Sequence, residues 1–159
     1  MKITILCVGK IKEKFYRDAI TEYGKRLSRY CKLEVAEVAD EKTPDRASEH
    51  EELLIKEKEA ERMEKYLKDG AYVIALAIDG RQLDSVELSE KLAQLGTAGT
   101  SHIIFVIGGS LGLSDRIIKR ADYRLSFSKM TFPHQLMRVI LLEQIYRGYR
   151  IMNHEPYHK

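Results

Sequence analysis

Apolar and polar residues follow two rhythms along the chain. Lys2–Val8 is a run rich in Ile, Leu and Val that Gly9 closes, the mark of a strand. Lys12–Tyr30 then carries Phe15, Ala19, Tyr23 and Leu27 at helical spacing, with Lys and Arg on the other faces. Leu33–Val38 alternates only in part, with Glu34 and Glu37 between apolar positions, which predicts an edge strand with one wet face. Asp40–Ser48 is polar, contains Pro44 and reads as a loop. Glu49–Lys68 predicts a long charged helix with a narrow stripe of Leu53, Ala60, Met63 and Leu67. Glu52 with Lys56, Glu61 with Lys65 and Glu64 with Lys68 stand four apart in the favoured Glu-to-Lys orientation.

The second half repeats the scheme. Ala71–Ile78 and His102–Ile107 are apolar throughout, as strands covered on both faces of a parallel sheet are. Asp79-Gly80 predicts a turn, and Asp84 with Glu87 three later predicts a capped helix to about Leu95. After the second of these strands comes Gly108-Gly109-Ser110-Leu111-Gly112, then a short helix from Ser114 to Ala121 and a short strand Tyr123–Phe127. Ser128–Phe132 is a loop. Pro133 opens a last helix to about Met152, and Asn153–Lys159 is a polar tail. Strictly alternating strands and helices predict an α/β fold, a three-layer domain around a mostly parallel sheet. No linker interrupts it, so residues 1–159 read as a single domain.

Composition narrows the class. Hydrophobic residues make up 44% and charged residues 32% of the chain, a globular balance. No apolar run is long enough for a membrane span. The opening MKITILCVGKIKEKF lacks a small-residue cleavage site and reads as a first strand. Cys7 and Cys31 are too few to frame a zinc site, and two isolated cysteines without a secretion signal predict a reducing cytoplasm. No metal is expected. Charge is uneven: residues 1–33 carry net +6, 34–69 net −6, 70–113 net −2 and 114–159 net +5. Basic ends around an acidic middle can form a face for phosphates, or be solvated helix faces.

Open parallel sheets bind ligands beyond the carboxyl ends of their strands. Three such ends stand out here: Leu76–Gly80, Gly108–Gly112 and Phe127–Phe132. The glycines permit close backbone approach, yet GGSLG is neither GxGxxG nor a phosphate-loop GxxxxGK[ST]. LSFSKMTF (Leu125–Phe132) sets Phe127, Met130 and Phe132 among hydroxyls and one lysine, apolar walls that suit an adenine-sized, thioether-bearing ligand or simply plug a core. The last helix is apolar nearly all round, from Leu136 to Ile145, which fits either deep burial or packing on a second subunit. The tail HEPYHK joins His154, Tyr157, His158 and Lys159, which can exchange a proton, stack on a base or meet a phosphate.

FVIGGSLGL, LSFSKMTFPHQLMRVILLEQIYRGYRIM and the terminal PYHK resemble the RlmH family, bacterial rRNA methyltransferases of the SPOUT class, and ITILCVGKIKEKF resembles that family's start. Length and motif order match from end to end. The resemblance implies a trefoil knot in the C-terminal half, a homodimer, and S-adenosylmethionine held by Leu76, Gly108, Phe127, Ser128, Lys129, Met130, Thr131 and Phe132. It implies as substrate a pseudouridine of 23S rRNA in the assembled ribosome, methylated at N3. One departure is Glu155, which separates His154 from Pro156 where some relatives place His directly before Pro. Tyr157, His158 and Lys159 therefore carry the tail's match.

Methylation at N3 requires its proton to leave. His158 is the first expected base and His134 the second, with the alternative that the tail clamps the nucleotide and water takes the proton. Arg138, Arg147, Arg150 and Lys129 are expected to face RNA phosphates. A non-catalytic RNA-binding ribosome-assembly factor explains the basic ends equally well, but not the glycine turn or the LSFSKMTF loop. A nucleotide-dependent oxidoreductase lacks its GxGxxG, and a purely structural dimerisation module leaves both loops unexplained.

Overall fold

A computed structural model describes residues 1–159. Five strands, β1 (Lys2–Val8), β2 (Lys32–Val38), β3 (Tyr72–Gln82), β4 (His102–Ile107) and β5 (Tyr123–Ser126), alternate with five helices, α1 (Lys14–Leu27), α2 (Glu49–Glu64), α3 (Ser85–Thr97), α4 (Asp115–Arg120) and α5 (His134–Met152). The sheet order is β2-β1-β4-β3-β5, and every pairing is parallel. β2 is an edge strand, as its half-polar pattern predicts.

Residues on the strands divide with period two between two cores. Ile3, Ile5 and Cys7 of β1 and Ile103, Phe105 and Ile107 of β4 pack with residues of α1, α3 and α5. Leu6, Val8, Ile104 and Val106 pack on the other face with Ala60 and Met63 of α2 and Ile117 of α4. The result is the expected three layers. Ser114, Asp84 and Ser48 cap their helices through Ile117 N–H, Glu87 N–H and Glu51 N–H, and Ser48 with Glu51 forms a full capping box.

Some expectations yield to tertiary contacts. β3 continues through Asp79-Gly80 to Gln82, because a bulge between Leu76 and Arg81 lets it pair again with β5. A Cβ at Gly80 would lie 2.8 Å from the Arg124 carbonyl carbon, so only glycine admits that crossing. α2 stops at Glu64, so Lys65 and Lys68 lie beyond it, and none of the three Glu–Lys pairs forms. Instead Arg62 binds Glu41 at 3.1 Å, and Arg116 of α4 reaches Glu57 at 3.4 Å and Glu64 at 2.7 Å. Leu53 is half exposed, and α2 buries Ile55 and Glu59 instead. Phe15 likewise leaves the core: α1 buries Leu27, and Phe15 points into solvent.

Candidate active site

The loops after β3, β4 and β5 enclose an open cleft of about 280 Å³. β4 runs into a hairpin of glycines, closed where Gly112 N–H donates to Gly109 O at 3.0 Å. Gly112 adopts φ +84°, a left-handed conformation that favours glycine. A Cβ on Gly108 would stand 2.7 Å from the Gly112 carbonyl carbon, so the hairpin closes only around a bare backbone. The loop after β5 is braced from within: Ser126 Oγ donates to Ser128 O at 3.0 Å, and Met130 N–H donates to Ser128 Oγ at 3.0 Å. Phe127 and Phe132 are anchored against the buried core.

Leu76, Gly108, Phe127, Ser128, Met130, Thr131 and Phe132 all line this one cleft. Lys129 alone among the expected cofactor residues does not; it is exposed outside it. The cleft also takes in Ala77, Ile78, Leu111 and Ser126, which lie in the three segments picked out from the sequence without being among the expected cofactor contacts, and Met137 of α5. Ile78 corrects the expectation of a strand covered on both faces through to its end: it lies past the buried part of β3 and is 55% exposed, on the cleft wall. No Asp or Glu lines the walls.

His134, the first residue of α5, is the one titratable side chain of the lining. Its Nδ1 is buried without a hydrogen-bond partner. Burial first, and the Arg138 cation second, push its pKa below the usual imidazole value. The partial positive charge of a helix N-terminus acts in the same direction. The ring is thus kept neutral and able to accept a proton near pH 7.

Arg138 does not face solvent. It is 1% exposed, the largest of the fully buried side chains. Its guanidinium pairs with Glu37 at 2.5 Å and donates to Gly9 O at 2.7 Å. It therefore ties α5 to the ends of β1 and β2 and is not available to a phosphate. Nearby, Ile11 N–H meets Glu37 Oε2 at 3.3 Å and Lys12 N–H meets Gln135 Oε1 at 3.4 Å. The loop after β1 is thereby fastened to the α5 turn that borders the cleft.

Arg147 and Arg150, also expected to meet RNA, serve the chain's own tail. Arg147 pairs with Glu143 at 2.5 Å, stacks over the Tyr157 ring at 4.7 Å and reaches His158 Nδ1 at 3.2 Å. Arg150 pairs with Glu155 at 2.8 Å and donates to Pro156 O at 2.9 Å. Tyr30 donates to Glu155 at 2.7 Å, and Tyr157 donates to Glu143 at 3.1 Å while its ring meets Tyr146 edge-on. Glu155, the residue that departs from the motif, is thus the tail's main anchor. The tail lies back along α5, with His154 and Lys159 exposed. Arg147 is ten residues past Met137, about 15 Å along the helix axis from the cleft. Within one chain the structure does not bring Tyr157, His158 and Lys159 to the cleft.

A glycine-turned cleft at the carboxyl ends of an all-parallel sheet defines an α/β protein built to hold a small ligand at its strand ends. Residues 1–158 match the family model described as "Predicted SPOUT methyltransferase". Proteins named Ribosomal RNA large subunit methyltransferase H are 67% identical in Bifidobacterium adolescentis and 62% identical in Clostridium tetani, each over 159 residues and 100% of both chains. A solved structure, of a probable methylase family protein from Haemophilus influenzae Rd KW20, superposes with a TM-score of 0.58 at 15% identity. It covers 99% of this chain and 70% of that one, and shares the fold. The chain belongs to the SPOUT methyltransferase family.

Proposed function

We propose that this protein transfers the methyl group of S-adenosylmethionine to N3 of a pseudouridine in 23S rRNA, acting as a homodimer on the assembled ribosome in the cytoplasm. The observation that carries this reading is the convergence of Leu76, Gly108 and the Phe127–Phe132 loop on one cleft in a chain whose full-length relatives bear an rRNA methyltransferase name. The residues present fit the donor. Leu76, Leu125 and Met137 offer apolar walls to a purine, the Gly108 backbone admits close approach, and the aromatic faces of Phe127 and Phe132 suit a sulfonium cation. Bound there, the donor supplies a methyl group on a good leaving group.

What remains for the chain is positioning and proton removal. Aligning two reactants can lower a barrier by about 7–11 kcal/mol. His134 is the imidazole that the chain itself sets in the cleft, and it accepts the N3 proton. His158 approaches the same point only from a second copy. The half-buried face of α5, with Leu136, Val139 and Ile140, supplies the apolar surface for that second copy. Tyr157, His158 and Lys159 of one protomer then clamp the nucleotide at the cleft of its partner. A C-terminal trefoil knot is part of the same reading.

Calorimetry with S-adenosylmethionine tests the proposal against a non-catalytic assembly factor. The full chain should bind the donor, and the Gly108→Ala variant should lose that binding while keeping its fold by circular dichroism. A wild-type chain that binds ribosomes but not S-adenosylmethionine would be an assembly factor.

A further inference from the structure

The loop and first turn after β1 carry a feature that the cleft does not use. Helical spacing aims Phe15 at the core, yet it is 65% exposed, and its ring lies beside that of the neighbouring Tyr16, at 4.4 Å between centroids. The chain on either side of it carries Lys10, Lys12, Lys14 and Arg17 against two carboxylates, Glu13 and Asp18. Lys14 is engaged with Asp18 at 2.8 Å, and Arg17 donates to Lys12 O at 3.2 Å, which stiffens the turn. Lys10 and Lys12 are exposed and enter no ion pair.

The position of this patch gives it meaning. β1 is parallel to β4 and adjacent to it, so the loop after β1 lies on the same rim as the glycine hairpin. Arg138 on Gly9 O and Gln135 on Lys12 N–H fix the loop against the start of α5, which carries His134, while Glu37 of β2 holds Ile11 N–H. An exposed aromatic on a tethered turn beside two unpaired lysines is an arrangement with which proteins grip single-stranded nucleic acid: the ring stacks on a base and the cations track the backbone.

We infer that Phe15, with Lys10 and Lys12, is a second RNA contact, a stacking platform for an unpaired rRNA base flanking the target nucleotide. This rests on the rRNA reading above and adds to it. Lone exposed apolar residues are common on protein surfaces; what distinguishes this one is its cationic surround and its tether to the cleft.

The test is binding of the full-length protein to purified large ribosomal subunits at fixed salt, with methyl transfer measured on the same subunits. Phe15→Ala should weaken subunit binding and raise KM about tenfold, the order expected for one lost base stack, with kcat and S-adenosylmethionine affinity unchanged. Phe15→Tyr should restore binding and Phe15→Leu should not. Lys12→Gln should lower the salt slope of binding by about one. Equal binding by wild type and Phe15→Ala would overturn the platform and leave the methyltransferase reading standing. Dissociation of Phe15→Ala into monomers would also overturn it, making the patch a subunit contact. Should wild type bind subunits without methylating them while Phe15→Ala fails to bind, the platform would stand and the catalytic reading would fall.

Discussion

Arg138→Met removes a guanidinium that is 1% exposed and binds both Glu37 and the Gly9 carbonyl. The methionine fills part of the space, so the loss is mainly polar. Breaking a buried ion pair typically costs about 3–5 kcal/mol. Here the Glu37 side chain remains 36% exposed and can rehydrate, which places the expectation at the lower end, about 3 kcal/mol. For a domain of this size that is a fall in Tm of roughly 6–12 °C. Arg138→Lys keeps the charge but not the two-direction reach and should recover only part of the loss. Thermal and urea unfolding at one fixed protein concentration would measure both, because the proposed dimer would make Tm concentration dependent. The reasoning also requires Arg138→Met and Glu37→Gln to be strongly non-additive. A Tm within about 2 °C of wild type, together with a reduced salt slope for ribosome binding, would refute it and return Arg138 to the phosphate-facing role expected from its sequence context.

Four further outcomes follow from the same geometry. Gly108→Ala must open the hairpin by displacing Gly112, and its S-adenosylmethionine Kd should rise at least about tenfold by calorimetry, as one misplaced backbone contact can cost. Deleting residues 154–159 should abolish methylation while leaving donor binding intact. Mixing that deletion with Gly108→Ala should then restore roughly a quarter of wild-type activity, since half the dimers are mixed and one of their two sites is whole; no recovery would mean that the tail serves its own chain. Burial lowers the pKa of His134 and His102 below the usual imidazole value of 6.5, so the unfolded chain binds protons first as pH falls. Stability should therefore drop on acidification from pH 6.5 until the folded groups protonate, and His134→Asn should flatten that slope and remove the acid limb of the methylation pH–rate profile. The Cys7 thiol, pushed up to about 12 by burial, should resist thiol reagents until urea unfolds the chain.

The sequence discloses those parts of the fold and site that depend on contiguous residues. Both apolar runs of β3 and β4 announce strands covered on two faces, because Val73–Ala75 and Ile103–Ile107 fill a core on either side; only the end of the first run, at Ile78, emerges into the cleft. The cleft-lining loop after β5 is legible because Phe127–Phe132 is one linear segment at a strand end. Phe15 and Leu53 mislead because spacing marks a face of a helix without telling whether anything packs on its N-terminal end. Asp79-Gly80 reads as a turn until β5, more than forty residues on, pairs with the strand through it. Arg138 shows the same limit most clearly: its partner Glu37 lies 101 residues away, and a buried arginine is indistinguishable in sequence from an exposed one. The tail's residues are conspicuous, but Glu155 as their anchor depends on Tyr30 and Arg150 coming together at the far end of α5.

The central claim is tested most directly by incubating the purified protein with methyl-labelled S-adenosylmethionine and ribosomes from cells that lack the protein, then mapping the label by mass. Label on N3 of a single pseudouridine of 23S rRNA is the predicted result. Absence of label from large-subunit rRNA, with donor binding to the cleft demonstrated in the same preparation, would contradict the assigned substrate.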